Sequence, residues 1–155
     1  MYLSLFFKRH RDEYYRRLAA VRTQGDWEGW IRYFLEAVAT ISVEATASAR
    51  EIFSLTSRDR AKVLAGHSST LTAARLFELL PMHPVVSTAK VMHLLATTRP
   101  TANKAIHALL DVGILKETTG KKRDREFAYS AYLNLLKTGT ELSAKRVLGV
   151  KSHEL

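Results

Sequence analysis

The chain has 155 residues, of which 46% are apolar, and this composition excludes a chain that is disordered throughout. It contains no cysteine, which excludes a disulfide scaffold and thiolate metal sites and favours a reducing compartment. The net charge of +9 is unevenly placed, with +4 on residues 1–25, −1 on residues 26–66, +5 on residues 67–138 and +1 on the tail. A clustered basic excess is typical of proteins that bind polyanions, although the same charge also serves solubility.

Residues 2–24 have the pattern of an amphipathic helix, because apolar side chains recur at spacings of three and four. Gly25 is predicted to end this helix, and Asp26 is predicted to cap the next one. The apolar opening comes before the basic residues, whereas a signal peptide has the reverse order. Since no apolar run approaches the ~20 residues that span a bilayer, we expect a soluble, cytoplasmic protein.

A second helix is predicted from about Trp27 to about Ala65. Apolar residues form a long stripe along it, alanine is abundant, and no proline interrupts it. We expect the two helices to lie antiparallel, so that residues 1–66 form a helical hairpin domain.

Shorter elements are predicted for residues 67–138. A helix is predicted over residues 71–80 and ends before Pro81. Residues 84–86 are then predicted to be extended. Ser87 is then expected to cap a further helix. This helix covers about residues 88–96, and its predicted inward side chains are Ala89, Met92, Leu94 and Leu95.

A third helix of this region is predicted at about residues 99–111, closed by Gly113. Two strands follow, at 114–118 and 125–129, joined by a charged turn. A short closing helix and a flexible tail at 139–155 complete the chain. The expected fold is therefore mainly α: the helical pair, then a winged helix-turn-helix domain over 67–138 with a small two- or three-stranded β wing.

The third helix is the expected recognition helix. Its inward side is predicted to hold Ala102, Ala105, Ile106, Leu109 and Leu110. Its outward side is predicted to hold Arg99, Thr101, Asn103, Lys104 and His107. Asparagine can read adenine, and arginine or lysine can read guanine, from the major groove. The residue types therefore suit DNA recognition, and a solvated polar face is the alternative.

The predicted wing turn is strongly basic. Its cations are Lys121, Lys122, Arg123 and Arg125, offset by Asp124. Such a tip can bind phosphate oxygens and supply affinity that depends on salt instead of sequence. A charged hairpin tip that serves only solubility is the alternative.

Several signatures of enzymes are missing from the sequence. There is no Gly-x-Ser-x-Gly elbow, and Leu115 stands where a phosphate-binding loop ending at Gly120-Lys121 would need glycine. The six histidines have no metal-ligand spacing. We therefore expect no metal and no cofactor.

Two sets of segments resemble the C-terminal region of Fic family proteins over about residues 2–140. In the helical part they are Lys8-Arg9-His10-Arg11-Asp12-Glu13-Tyr14-Tyr15, Gly25-Asp26-Trp27-Glu28-Gly29-Trp30 and Phe34-Leu35-Glu36. In the remainder they are Pro84-Val85-Val86, Pro100-Thr101-Ala102-Asn103, Gly113-Ile114-Leu115 and Thr119-Gly120-Lys121. Proteins of that family, by this resemblance, transfer AMP from ATP to a hydroxyl of a target protein.

The resemblance assigns no catalytic residue to this chain. The family's catalytic loop reads His-Pro-Phe, an acidic residue, then Gly-Asn-Gly-Arg, and His83-Pro84 is followed here by Val85 with no glycine. The resemblance implies a DNA-binding, regulatory module without AMP-transfer activity of its own. A protein-interaction module that docks targets of such an enzyme is the alternative.

The resemblance also implies partners for the helical pair. In a longer protein, its apolar side would pack against a Fic catalytic domain. On its own, that side would leave a large exposed apolar patch, so we expect self-association through residues 2–45.

Overall fold

The computed structural model describes residues 3–68, 70–121 and 124–138. This part of the chain is mainly helical with a small antiparallel sheet. Contacts divide it into two compact units, one with the residues up to Ala49 and the other with Arg50–Leu136. The division falls inside the longest helix, upstream of the division at residue 66 expected from the sequence, because Leu55 and Val63 belong to the core of the second unit.

The first unit begins with two helices where the sequence predicts one. Helix α1 covers Leu3–Arg9 and helix α2 covers Arg11–Gln24, so the prediction of one helix over 2–24 is wrong. The break lies at His10, where φ is −112° and ψ is 42°. The His10 ring packs at 4.4 Å from the Phe6 ring, so the break coincides with an aromatic contact that helical periodicity does not record.

Helix α3 covers Trp27–Ala65, with the bounds predicted from the sequence. Gly25 ends α2 in the left-handed conformation, with φ of 69°. Asp26 caps α3, because its Oδ1 accepts a hydrogen bond of 2.9 Å from the Gly29 amide. Both predicted caps are confirmed.

Aromatic rings hold the helices of the first unit together. The Tyr14 ring lies 5.6 Å from the Trp30 ring, and the Phe7 ring lies 5.9 Å from the Tyr33 ring and 6.2 Å from the Phe34 ring. Earlier residues of α1 and α2 thus contact later residues of α3. This order agrees with the predicted antiparallel pairing.

The second unit contains the end of α3 and seven further elements in chain order. They are α4 (Leu71–Leu79), β1 (Val85–Ser87), α5 (Thr88–Leu95), α6 (Arg99–Asp111), β2 (Lys116–Glu117), β3 (Glu126–Ala128) and α7 (Ser130–Thr138). The strands form one antiparallel sheet in the order β1-β3-β2. In its register, Val86 pairs with Phe127, and Phe127 pairs with Glu117 on the other side.

Strands β2 and β3 are shorter than the predicted 114–118 and 125–129. The amides of Ile114 and Leu115 donate to the carbonyl of Leu109, at 2.9 and 3.1 Å, and thereby close α6. The same residues are buried in the core. They therefore serve the end of a helix instead of a strand ladder.

Helix α5 turns inward a face that overlaps the predicted one, which included Leu95, and differs from it at Ala89 and Val91. Ser87 caps it as expected, accepting a bond of 3.3 Å from the Lys90 amide. Val91 and Leu95 are buried, whereas Ala89 is exposed. Because Val91 and Leu95 are one turn apart, they define the side that meets the core, and Ala89 falls outside it.

A buried polar contact joins α3 to the end of β3. The Tyr129 hydroxyl donates to Asp59 Oδ2 at 2.8 Å, and Lys62 Nζ lies 2.9 Å from Asp59 Oδ1. Burial alone raises the pKa of Asp59, but the hydrogen bonds from Lys62 and Tyr129 outweigh it and leave that pKa below its ordinary value. The carboxylate thus stabilises the fold above about pH 4, and this contribution is lost as the pH falls through the depressed pKa.

No helix within the described ranges is long and apolar enough to cross a membrane.

Replacing Tyr129 with phenylalanine removes the hydroxyl but keeps the ring, which stacks on Tyr132 at 5.5 Å. We expect Tyr129→Phe to lower the free energy of unfolding by about 1–3 kcal/mol, because Asp59 then stays buried with one donor fewer. Urea unfolding at neutral pH measures this. Tyr132→Phe, at the half-buried stacking partner, is the control and is expected to change it by less than about 0.5 kcal/mol. Equal effects of the two variants would contradict the assignment.

Candidate nucleic-acid interface

Helix α6 is anchored through a face of small and branched residues. Ala102, Ala105 and Leu109 have no exposed surface, and Ile106 is 1% exposed. Alanine at two of these positions lets neighbouring helices approach closely, and α6 contacts both α4 and α5. The opposite face therefore points away from the core.

The five predicted outward residues differ in position. Arg99, Lys104 and His107 are exposed, and Asn103 is half-buried between them. Thr101 lies at the margin of the buried side, and its hydroxyl lies 3.0 Å from that of Thr98. Four of the five thus share one face of α6, and Thr101 belongs to the start of the helix.

A hydrogen bond from α5 fixes the Asn103 side chain. Thr88 Oγ1 donates to Asn103 Oδ1 at 2.9 Å. A carbonyl oxygen accepts a second hydrogen bond, and the Nδ2 group remains a donor. The Asn103 amide is therefore held in one orientation and can still both donate and accept a hydrogen bond.

A polar cleft of about 450 Å³ lies between α6, the start of α5 and the start of β3. Arg99 and Asn103 line it from α6, and Arg125 lines it from the residue before β3. The structure thus brings together residues that are 22 positions or more apart in sequence.

Arg125 is held on two sides. Its Nη1 lies 3.2 Å from Glu117 Oε2, and its guanidinium lies 5.6 Å from the centre of the Phe127 ring. A guanidinium carries five donors, so one ion pair leaves further donors for an anion. Because Arg125 is already held in place, its side chain would lose less conformational freedom on binding an anion.

The turn between β2 and β3 is described in part. Lys121 is exposed and lines a shallow hollow together with Gly120, Glu117 and Arg125. Gly120 has φ of 60°, a conformation that costs glycine little. Lys122 and Arg123, two of the predicted phosphate-binding residues, lie outside the described residues.

Two acidic side chains also line the cleft, of which only Asp124 was noted in the sequence as offsetting the turn cations. Asp124 and Glu126 lie beside Arg125, and both are exposed. Thr88, which also lines the cleft, was not among the site residues predicted from the sequence. Its one signal was its position directly after the predicted Ser87 cap, at the start of a helix. The cleft therefore has mixed charge, and its cations are concentrated on α6 and the turn.

No protein-family model matches this chain. Within residues 3–68, 70–121 and 124–138, no group of three histidine or acidic side chains is arranged to hold a metal ion.

Replacing Thr88 with valine removes the donor to Asn103 while keeping a branched side chain. We expect the Asn103 side-chain amide to become mobile, with its NMR order parameter falling below about 0.6. Thr101→Val is the matched control, because it removes the hydroxyl contact with Thr98 and leaves the Thr88 bond intact. An Asn103 amide that stays rigid in Thr88→Val would show that the hydrogen bond does not fix it.

Proposed function

We propose that residues 67–138 form a winged helix-turn-helix that binds duplex DNA, with α6 in the major groove. The order α4, β1, α5, α6, β2, β3 and the sheet order β1-β3-β2 support this proposal. The turn between β2 and β3 is then the wing. The observation that carries the proposal is the cleft in which Arg99 and Asn103 of α6 face Arg125 of the wing.

The proposed base contacts come from one face of α6. Asn103, whose amide orientation is set by Thr88, is suited to adenine, which presents one donor and one acceptor in the major groove. Arg99 and Lys104 are exposed and suited to the two acceptors of guanine. His107 lies one turn further along and can reach a backbone phosphate or a base edge.

The proposed phosphate contacts come from the wing. Lys121 and Arg125 occupy the described ends of the turn, and Lys122 and Arg123 stand between them in the sequence. Cations at a hairpin tip displace counterions from the duplex, which gives affinity without base preference. The wing would thus supply affinity for the duplex, and α6 would supply sequence selectivity.

The resemblance to the C-terminal region of Fic family proteins gives the proposed module a context. We infer that it regulates or positions such an enzyme and performs no AMP transfer itself.

A docking module for proteins is the second candidate, and the charge of the cleft favours it. Asp124 and Glu126 repel phosphate, whereas an interface with a protein tolerates interspersed charges of both signs. In that case, the arginines of the cleft would recognise acidic groups of a target.

DNA binding is tested by titrating the chain with random-sequence duplex at two salt concentrations. If the four wing cations contact phosphate, raising the salt from about 50 to about 200 mM weakens binding roughly a hundredfold. Lys121→Gln and Arg125→Gln are each expected to reduce the slope of log affinity against log salt by about 1.

Arg60→Gln is the matched control, because it removes one exposed cation, which pairs with Glu78 of α4 away from the cleft. We expect it to leave the slope unchanged. Absence of binding at low salt would reject the DNA proposal and favour the docking module. An equal reduction of the slope by all three variants would reject a specific contribution of the wing cations to DNA binding.

AMP transfer is tested by incubating the chain with labelled ATP and a cell lysate. We expect no label on any protein, because the loop that the resemblance requires is absent from the sequence. Labelled protein above a sample without the chain would contradict this expectation.

A further inference from the structure

An exposed apolar stripe runs along the first part of α3. Its large side chains follow each other at spacings of four, three, one and three residues: Trp27, Ile31, Phe34, Leu35 and Val38. Their exposed fractions range from 38% for Phe34 and Val38 to 63% for Trp27. This spacing places all five on one side of the helix. Contiguous exposed apolar surface of this kind marks an interaction site.

The same side of α3 continues with small residues. The positions that follow Val38 at helical spacing are Ser42, Ala45 and Ala49, and all three are exposed. Residues 39–49 contain a single charge, Glu44. A helix surface that faces solvent normally carries polar and charged side chains throughout. The small, weakly polar surface therefore suits close approach by another helix.

The geometry points to a second copy of this chain as the occupant, with two α3 helices packed antiparallel around a two-fold axis at Val38. In this register Trp27 of one copy lies over Ala49 of the other, and Ile31 lies over Ala45. Large side chains thus meet small ones at both ends, which is how packed layers interdigitate. A two-fold interface uses one patch twice, so the patch must complement itself. The α3 surface meets this requirement, because its large side chains lie towards one end and its small side chains towards the other.

The exposed area fits a weak dimer. The five large side chains expose roughly 500 Å², a value near the top of the range for the largest apolar patch on a monomer. Two copies would bury about 1,000 Å² in total, which is the lower limit for a specific interface. We therefore expect a reversible dimer with a Kd of about 1–100 µM. This inference concerns α3 alone and does not depend on DNA binding.

Analytical ultracentrifugation of the full chain from about 5 to about 200 µM tests the dimer. The wild type is expected to shift from monomer to dimer across this range. Ile31→Glu places a charge on the stripe and is expected to weaken the dimer at least about tenfold. The control is Val43→Glu, because Val43 is 71% exposed and lies off the stripe on the same helix. We expect it to change the Kd less than about twofold.

Far-UV circular dichroism establishes that both variants keep the helix content of the wild type. A wild type that stays monomeric at about 200 µM overturns the proposal, and the stripe then serves a different partner. A dimer that is equally stable in Ile31→Glu overturns it as well.

Disulfide cross-linking tests the register, since the chain has no cysteine of its own. Val38→Cys is expected to cross-link to itself, because the two copies meet at this position. The double variant Ile31→Cys with Ala45→Cys is expected to cross-link between copies, as these positions are ~21 Å apart within one helix. Each single change should give little product on a non-reducing gel. Val43→Cys cross-linking as fast as Val38→Cys would overturn the register.

Discussion

Complete burial of one face of α6 is the constraint on which the candidate site depends. Ala102, Ala105 and Leu109 have no exposed surface, so rotation of the helix would put polar groups into the core or apolar groups into water. Burying these side chains therefore fixes the direction of Arg99 and Lys104. The proposed recognition chemistry is thus a consequence of core packing.

The neighbouring elements refine this placement. The Thr88 hydroxyl sets the orientation of Asn103, and Glu117 and Phe127 hold Arg125 on the other side of the cleft. Each contact lowers the freedom that a side chain loses when it binds, and preorganisation of this kind increases affinity. The acidic side chains beside Arg125 would lower the affinity of the cleft for a phosphate group. Under the proposed function, the turn cations would set the net affinity for a polyanion, and α6 would set the selectivity.

Much of the fold follows from local pattern. The bounds of α3 and α6 and the caps at Gly25, Asp26 and Ser87 were predictable, because periodicity and capping are encoded within a few residues. The break at His10, the burial of Val91 on α5 and the short strands were not, because they depend on ring packing, on contact with α6 and on closure of α6. For the site, residue types pointed to α6 and the turn, but the Thr88 bond and the meeting of Arg99 with Arg125 in one cleft depend on tertiary contacts.

The most direct test of the central claim is to map the amides of the ¹⁵N-labelled chain that shift when a short duplex is added at low salt. If α6 and the wing form one DNA surface, the largest shifts lie at residues 99–107 and 118–125 and at the start of α5. Shifts on α4, α7 or the stripe of α3, with α6 unperturbed, would contradict it.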